Sequence, residues 1–177
     1  TDEDTPYSGN ILSNGDNDIL DPGTNLSAVT TPVYGPLNGS IIIDPNGDYT
    51  YTPALNYYGN DTVIISVCDD GTPGVECTND TIFIIVNPIN DPPVTYNENV
   101  NLDEDTFITG NIYNGDYDID GMPININLTP LQNASNGSFI FDATGAFTYT
   151  PYANYYGNDT VIIQICDQGF PLPSKCS

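Results

Sequence analysis

The run Tyr57-Tyr58-Gly59-Asn60-Asp61-Thr62-Val63-Ile64-Ile65 returns residue for residue at Tyr155 to Ile163, an offset of 98. Asn38-Gly39-Ser40 returns at Asn136-Gly137-Ser138 with the same offset. Asn14-Gly15-Asp16 returns at Asn114-Gly115-Asp116, 100 residues on, and Asp2-Glu3-Asp4-Thr5 at Asp103-Glu104-Asp105-Thr106, 101 residues on. Self-similarity at a fixed period means that one structural unit is built twice. The register drifts mostly between Asp18 and Asn38, so a loop there differs in length. Units of about 100 residues have the usual size of a small domain. We place unit one at 1–90 and unit two at 91–177, the first lacking its first strand and the second its last. A window on a longer chain accounts for both gaps; strand donation between neighbouring subunits is the other reading.

Inside each unit the apolar period is two, as in strands, not 3.6, as in helices. Thr62 to Cys68 puts Val63, Ile65 and Val67 on one face, and Asp48 to Thr52 and Ala146 to Thr150 alternate as well. Asp44-Pro45-Asn46-Gly47 is a turn signal between Ile41-Ile42-Ile43 and Tyr49, which predicts a hairpin. About seven strands fit each unit. In unit two they fall near 94–102, 107–113, 124–131, 137–142, 146–150 and 160–166; the seventh, Thr81 to Val86 in unit one, would follow Ser177. Short strands with turns every 8–12 residues argue a β-sandwich.

The side-chain inventory excludes whole classes of function. The chain has no His and no Arg, and its only Lys is Lys175, against 24 acidic residues and a formal charge of -23. Acid–base and nucleophilic catalysis lean on His, Lys or an activated Ser or Cys, so no enzyme is expected. Binding nucleic acid requires a basic footprint, and the same charge repels anionic membranes. No apolar run approaches the roughly 20 residues that span a bilayer. Such charge with 38% apolar residues also fits disorder. The 13 Tyr and 6 Phe, the alternation and the repeat argue against it.

Several motifs carry a family resemblance. They are Glu-Asp-Thr at Glu3 and Glu104, Asn-Gly-Asp at Asp16 and Asp116, Asn-Gly-Ser at Asn38 and Asn136, and Tyr-Thr-Pro at Tyr51 and Tyr149. Tyr-Tyr-Gly-Asn-Asp-Thr and the linker Val86-Asn87-Pro88-Ile89-Asn90-Asp91-Pro92-Pro93-Val94 complete the set. In this order and spacing the chain resembles the bacterial cadherin-like tandem repeat, a calcium-binding relative of the cadherin and immunoglobulin-type sandwiches. The Asn- and Tyr-rich, Cys-bearing flavour is similar to surface adhesins of Bacteroidetes. The resemblance implies an all-β fold of two tandem seven-stranded Ig/cadherin-like β-sandwiches, each incomplete at a chain end. It implies a place on the extracellular, bacterial cell surface.

Strand alternation then predicts where the acids meet. Glu3 and Asp4 at the A–B turn and Asp61 after the E–F turn fall at the C-terminal end of unit one, beside Asn90 and Asp91. Asp116, Asp118 and Asp120 in the B–C loop and Asp167 in the F–G loop fall at the N-terminal end of unit two. One interdomain junction is therefore expected to gather them. Equivalent sets face a neighbour on either side: Asp16, Asp18, Asp21, Asp69 and Asp70 upstream, and Glu104, Asp105 and Asp159 downstream. Two carboxylates about 4 Å apart repel by roughly 1 kcal/mol in water and about 4 kcal/mol at an effective dielectric near 20. Without a basic partner they require a counter-ion. Oxygen-only ligands suit Ca²⁺; zinc prefers His or Cys. The string Asp116-x-Asp118-x-Asp120-Gly121 imitates the start of an EF-hand, but its twelfth position is Asn127, its flanks read as strands, and unit one breaks the pattern at Leu20.

Cys68 with Cys77 and Cys166 with Cys176 bracket the two F–G loops. Three pairings are formally open; the local one recurs in both units and is the one expected, implying an oxidising compartment. Asp61-Thr62-Val63, Asp80-Thr81-Ile82 and Asp159-Thr160-Val161 resemble the O-glycosylation acceptor of Bacteroidetes, so Thr62, Thr81 and Thr160 are expected acceptors. Tyr57, Tyr58, Tyr155 and Tyr156 read as packing aromatics more readily than as a sugar platform. The expected function is a Ca²⁺-stiffened structural repeat of an adhesin or surface filament. Its partners are neighbouring repeats of the same chain and, beyond them, surface polysaccharide or other cells. A carbohydrate-binding module and a spacer in a secreted enzyme are the alternatives.

Overall fold

The structure, a computed structural model, describes residues 1–14, 25–71 and 74–177. The chain divides into unit 1, Thr1–Ile89, and unit 2, Asn90–Ser177. Among the described residues there is no α-helix, only a short 3₁₀ turn at Ile11–Asn14. No described helix is long and apolar enough to cross a membrane.

Unit 1 contains β1 (Tyr7–Asn10), β2 (Ser27–Ala28), β3 (Gly39–Ile43), β4 (Asp48–Pro53), β5 (Gly59–Cys68) and β6 (Cys77–Val86). They form two antiparallel sheets, β1-β4-β3 and β2-β5-β6. The Asp44 to Gly47 turn closes the β3–β4 hairpin as its sequence predicts, with Gly47 N–H on the Asp44 carbonyl and Gly47 at a φ of 87°. Only a residue without a Cβ adopts that φ cheaply. Along β5 the period-two pattern becomes geometry: Asp61, Val63, Ile65 and Val67 are buried, while Asn60 is exposed and Thr62, Ile64 and Ser66 are half-buried. Val63 and Ile65 meet Tyr51, Ile43, Ile84 and Val86 between the sheets. Each such aliphatic side chain contributes about 1.5–3 kcal/mol on full burial.

Unit 2 repeats the plan with β7 (Ile108–Asn111), β8 (Asn125–Ile126), β9 (Gly137–Phe141), β10 (Ala146–Pro151) and β11 (Ile165–Cys166). Its sheets are β7-β10-β9 and β8-β11. Gly137 follows from packing: a Cβ there would lie 2.5 Å from the Tyr149 ring, and one at Gly39 would lie 2.7 Å from the Tyr51 ring. That explains the repeated Asn-Gly-Ser.

Three expected strands differ, and one of them, 124–131, shrinks to Asn125–Ile126. Residues 94–102 form no strand; one antiparallel bridge, Val94 to Tyr117, is all that pairs there. Residues 160–166 shrink to Ile165–Cys166, with a single bridge from Ile162 to Gln132. A strand exists by virtue of its partner, and among the described residues none pairs with Val161 as β6 pairs with Val63. The unit 2 core is correspondingly smaller: Ile112, Ile126, Phe147 and Ile165 are buried, whereas Val161 and Ile163, the equivalents of Val63 and Ile65, are only half-buried.

Candidate metal centre

At its entry, unit 2 zips the linker onto the B–C loop. Val94 and Tyr117 exchange backbone hydrogen bonds of 2.8 and 3.1 Å. Around that bridge, Asp91 N–H donates to Asp120 Oδ2 at 2.7 Å and Tyr96 N–H donates to Asp116 Oδ1 at 2.8 Å. The loop is shaped by Asp118, whose Oδ1 accepts Asp120 N–H at 3.0 Å and Met122 N–H at 3.2 Å. Gly121 supplies a φ of 74° at the bend. Asp116 and Asp120 thus each hold a backbone N–H of the linker, while Asp118 holds the loop that carries them.

The second oxygens of two of these acids are the informative atoms. Asp118 is 7% exposed, and its Oδ2 is buried and accepts no hydrogen bond. Asp116 Oδ2 is in the same condition. A buried carboxylate oxygen without a donor is expensive, and the only Lys in the chain is Lys175. A hard cation satisfies such oxygens. The donor set is all oxygen, which suits Ca²⁺ with roughly six to eight ligands better than zinc. Glu98, which sequence reasoning did not single out, belongs to the same field: burial first, then the Asp116 charge, raises its carboxyl.

Other expected ligands are accounted for by protein donors. Asp61 is buried, and its two oxygens accept Leu37 N–H (3.0 Å), Thr62 N–H (2.9 Å), Asn38 N–H (2.9 Å) and the Tyr51 hydroxyl (3.1 Å). Asp159 repeats this with Ser135, Asn136, Thr160 and Tyr149 at 2.8–3.0 Å. Each oxygen of Asp61 and Asp159 thus already has two protein donors. Burial alone would raise both carboxyls; the donors outweigh it and hold them below the ordinary Asp range. Burial and the facing carboxylate push the Tyr149 hydroxyl up to about 12, and raise that of Tyr51 as well.

Asp167 is likewise a clamp. Its oxygens accept Lys175 N–H at 2.9 and 3.1 Å and Asn90 Nδ2 at 3.0 Å, while Asn90 also donates to the Pro173 carbonyl and accepts Phe170 N–H. The Cys166–Cys176 disulfide closes that loop, and Cys68–Cys77 closes its counterpart, where Asp69 Oδ1 accepts Gly71 and Glu76 N–H. Asp70 holds Asn25 through both oxygens. Asp4 and Asp105, at φ 56° and 59°, accept the N–H of Asn56 and Asn154, themselves at φ 56° and 60°. Glu3 is buried in unit 1, on Asn87 through its backbone and on Ile89 N–H through Oε1; Glu104 is exposed. Asp16, Asp18 and Asp21 lie outside the described residues. The Tyr57 and Tyr155 hydroxyls donate to the Asn60 and Asn158 carbonyls, and Tyr58 and Tyr156 are exposed.

Two stretches, residues 1–80 and 90–170, match the family of the bacterial Ig domain. The chain belongs to that family. Both of its units are Ig-like β-sandwiches, a scaffold that is generally non-catalytic. The family is coarser than the cadherin-like repeat that the motifs resemble. No curated protein matches the chain. Similar solved structures include the endo-fucoidan hydrolase MfFcnA4 of glycoside hydrolase family 107, at 17% identity and a TM-score of 0.32, covering 88% of this Ig-domain chain and 23% of that one. MfFcnA9, of the same description, has 19% identity, a TM-score of 0.30 and coverages of 99% and 30%. The chain therefore spans less than a third of these proteins' length, and likeness at such scores carries no functional argument.

Proposed function

We propose that the chain is a non-catalytic structural segment of an extracellular bacterial surface protein, and that Ca²⁺ stiffens the passage from one Ig-like repeat to the next. The carrying observation is Asp118 Oδ2, buried and without a donor, a condition that Asp116 Oδ2 shares. Asp120 Oδ2 accepts Asp91 N–H in the same unit. Asp91, Asp116, Asp118 and Asp120, all in unit 2, form the proposed set. Pro92 and Pro93 add stiffness, since their φ is fixed. The two disulfides support an oxidising, extracellular setting. Thr81 and Thr160 are exposed and Thr62 half-buried, which supports reading all three as glycan acceptors; intact mass equal to the bare polypeptide would sink that part.

Calorimetry of the chain in EGTA and in excess Ca²⁺ tests the proposal. Binding to the folded state alone adds roughly 2.7 kcal/mol when free Ca²⁺ is about 100 times its Kd. An unchanged melting temperature would remove Ca²⁺ from the mechanism and leave the Ig-like repeat standing.

A further inference from the structure

Asn is followed directly by Gly five times, at Asn14, Asn38, Asn46, Asn114 and Asn136. In such a pair the Gly nitrogen, which no Cβ screens, attacks the Asn side-chain amide and closes a five-membered imide wherever both groups are free to meet. The fold treats these pairs differently. Asn14-Gly15 runs into residues outside the described ones.

Three pairs are held. Asn38 and Asn136 stand one residue ahead of β3 and β9 and are half-buried. Their N–H groups donate to Asp61 and Asp159, and their carbonyls accept Ala54 and Tyr152 N–H. The backbone is thus fastened on both sides. At Asn46 the reacting groups themselves are engaged. Its Oδ1 accepts Asp48 N–H at 3.2 Å, its Nδ2 donates to Asp48 Oδ2 at 2.8 Å, and Gly47 N–H donates to the Asp44 carbonyl at 2.9 Å.

Asn114-Gly115 differs on each count. Both residues are exposed, in the turn between β7 and Asp116. Among the described residues no hydrogen bond holds the Asn114 side chain or the Gly115 N–H. Gly115 has a φ of 92°, and the nearest atom that a Cβ there would meet, in the Tyr96 ring, lies 3.7 Å away.

We propose that Asn114-Gly115 is a site of spontaneous deamidation whose product unfastens the linker from the B–C loop. The Gly115 nitrogen bonds to Asn114 Cγ, the bond from Cγ to Nδ2 breaks, and ammonia leaves with the proton that the backbone nitrogen gives up. Water then opens the imide, giving aspartate by attack at Cγ and isoaspartate by attack at the backbone carbonyl carbon. Isoaspartate carries the main chain through the side chain and adds one backbone atom ahead of Gly115. Asp116 and Tyr117 follow at once. They hold the linker, Asp116 through Tyr96 N–H at 2.8 Å and Tyr117 through its two bonds with Val94. No metal ion takes part.

The intact chain is aged in mildly alkaline buffer with EGTA and mapped by chymotryptic peptides with electron-transfer fragmentation, which separates isoaspartate from aspartate. Asn114 should convert at least fivefold faster than Asn38, Asn46 or Asn136, mainly to isoaspartate, and the four rates should draw together in urea. Amide exchange at Val94, Tyr96 and Tyr117 should quicken at least tenfold in the converted chain, whereas Asn114→Ser aged alongside should keep its starting rates. Another of these pairs converting as fast as Asn114 in buffer, or a lead that is unchanged in urea, overturns the assignment. Isoaspartate at Asn114 with unaltered exchange at those three amides, or the same quickening in Asn114→Ser, overturns the coupling to the linker.

Discussion

The Tyr51 hydroxyl donates to Asp61 Oδ2 at 3.1 Å across the unit 1 core, and Tyr149 donates to Asp159 Oδ2 at 3.0 Å in unit 2. Tyr51 is fully buried and Asp61 nearly so. Each carboxylate also gathers three backbone N–H groups, two from the loop ahead of β3 or β9 and one from the residue that follows it. The pair therefore anchors an irregular loop to a sheet where no ladder reaches. Asp61→Ala leaves several buried donors unsatisfied and should destabilise unit 1 on the order of 3 kcal/mol in urea unfolding, whereas Tyr51→Phe should cost about 1 kcal/mol. Equal and negligible effects would show the anchor to be dispensable.

The same pair sets the pH limits of the fold. The Asp61 and Asp159 carboxyls lie lower in the folded chain than in the unfolded one. Their stabilisation is therefore complete above the unfolded Asp value of about 3.9 and is lost as pH falls below it. Tyr149 is raised to about 12 in the folded chain. Its contribution is complete below the unfolded value of about 10 and disappears as pH rises from there to about 12. Thermal scans should show a plateau between these limits. Asp61→Asn should flatten the acid limb for unit 1, and Tyr149→Phe the alkaline limb for unit 2.

How much of this was legible beforehand follows from what each signal measures. The Asp44 to Gly47 turn and the repeated cysteine brackets are local, so the β3–β4 hairpin and both disulfides could be read directly. The role of Asp61 was also written in the pattern. It shares the inward period of Val63 and Ile65, so an acid there needed internal donors. Counting acids obscured that. The missing strand at 94–102 was not legible, because alternation says which face is apolar and not whether an edge finds a partner. Glu98 carries no motif and gains meaning only from its approach to Asp116.

The disulfides should differ in reach. Each closes a short loop, with separations of 9 and 10 residues, so each contributes about 2–3 kcal/mol through the unfolded state. Cys68→Ser with Cys77→Ser should lower unit 1 by that amount and little else. Cys166→Ser with Cys176→Ser should additionally loosen Asn90, because Asp167 and the Phe170 to Pro173 segment hold it through the same loop. Amide exchange at residues 90–96 should accelerate in the second variant and not in the first.

Asp118 separates the ionic reading from the structural one. Its Oδ1 organises the loop and its Oδ2 has no donor, so Asp118→Asn keeps an acceptor and removes a buried charge. In EGTA the variant should be as stable as the parent chain or more so, since the desolvated, unpaired carboxylate is gone. In Ca²⁺ it should lose most of the rise in melting temperature that the parent shows. Asp61→Asn should do the opposite, lowering stability in both buffers while leaving the Ca²⁺-dependent increment intact. Calorimetry of the three chains in the two buffers reads the contrast. A Ca²⁺ increment that survives in Asp118→Asn would place the ion elsewhere, and one that vanishes equally in Asp61→Asn would reduce it to a general effect of charge.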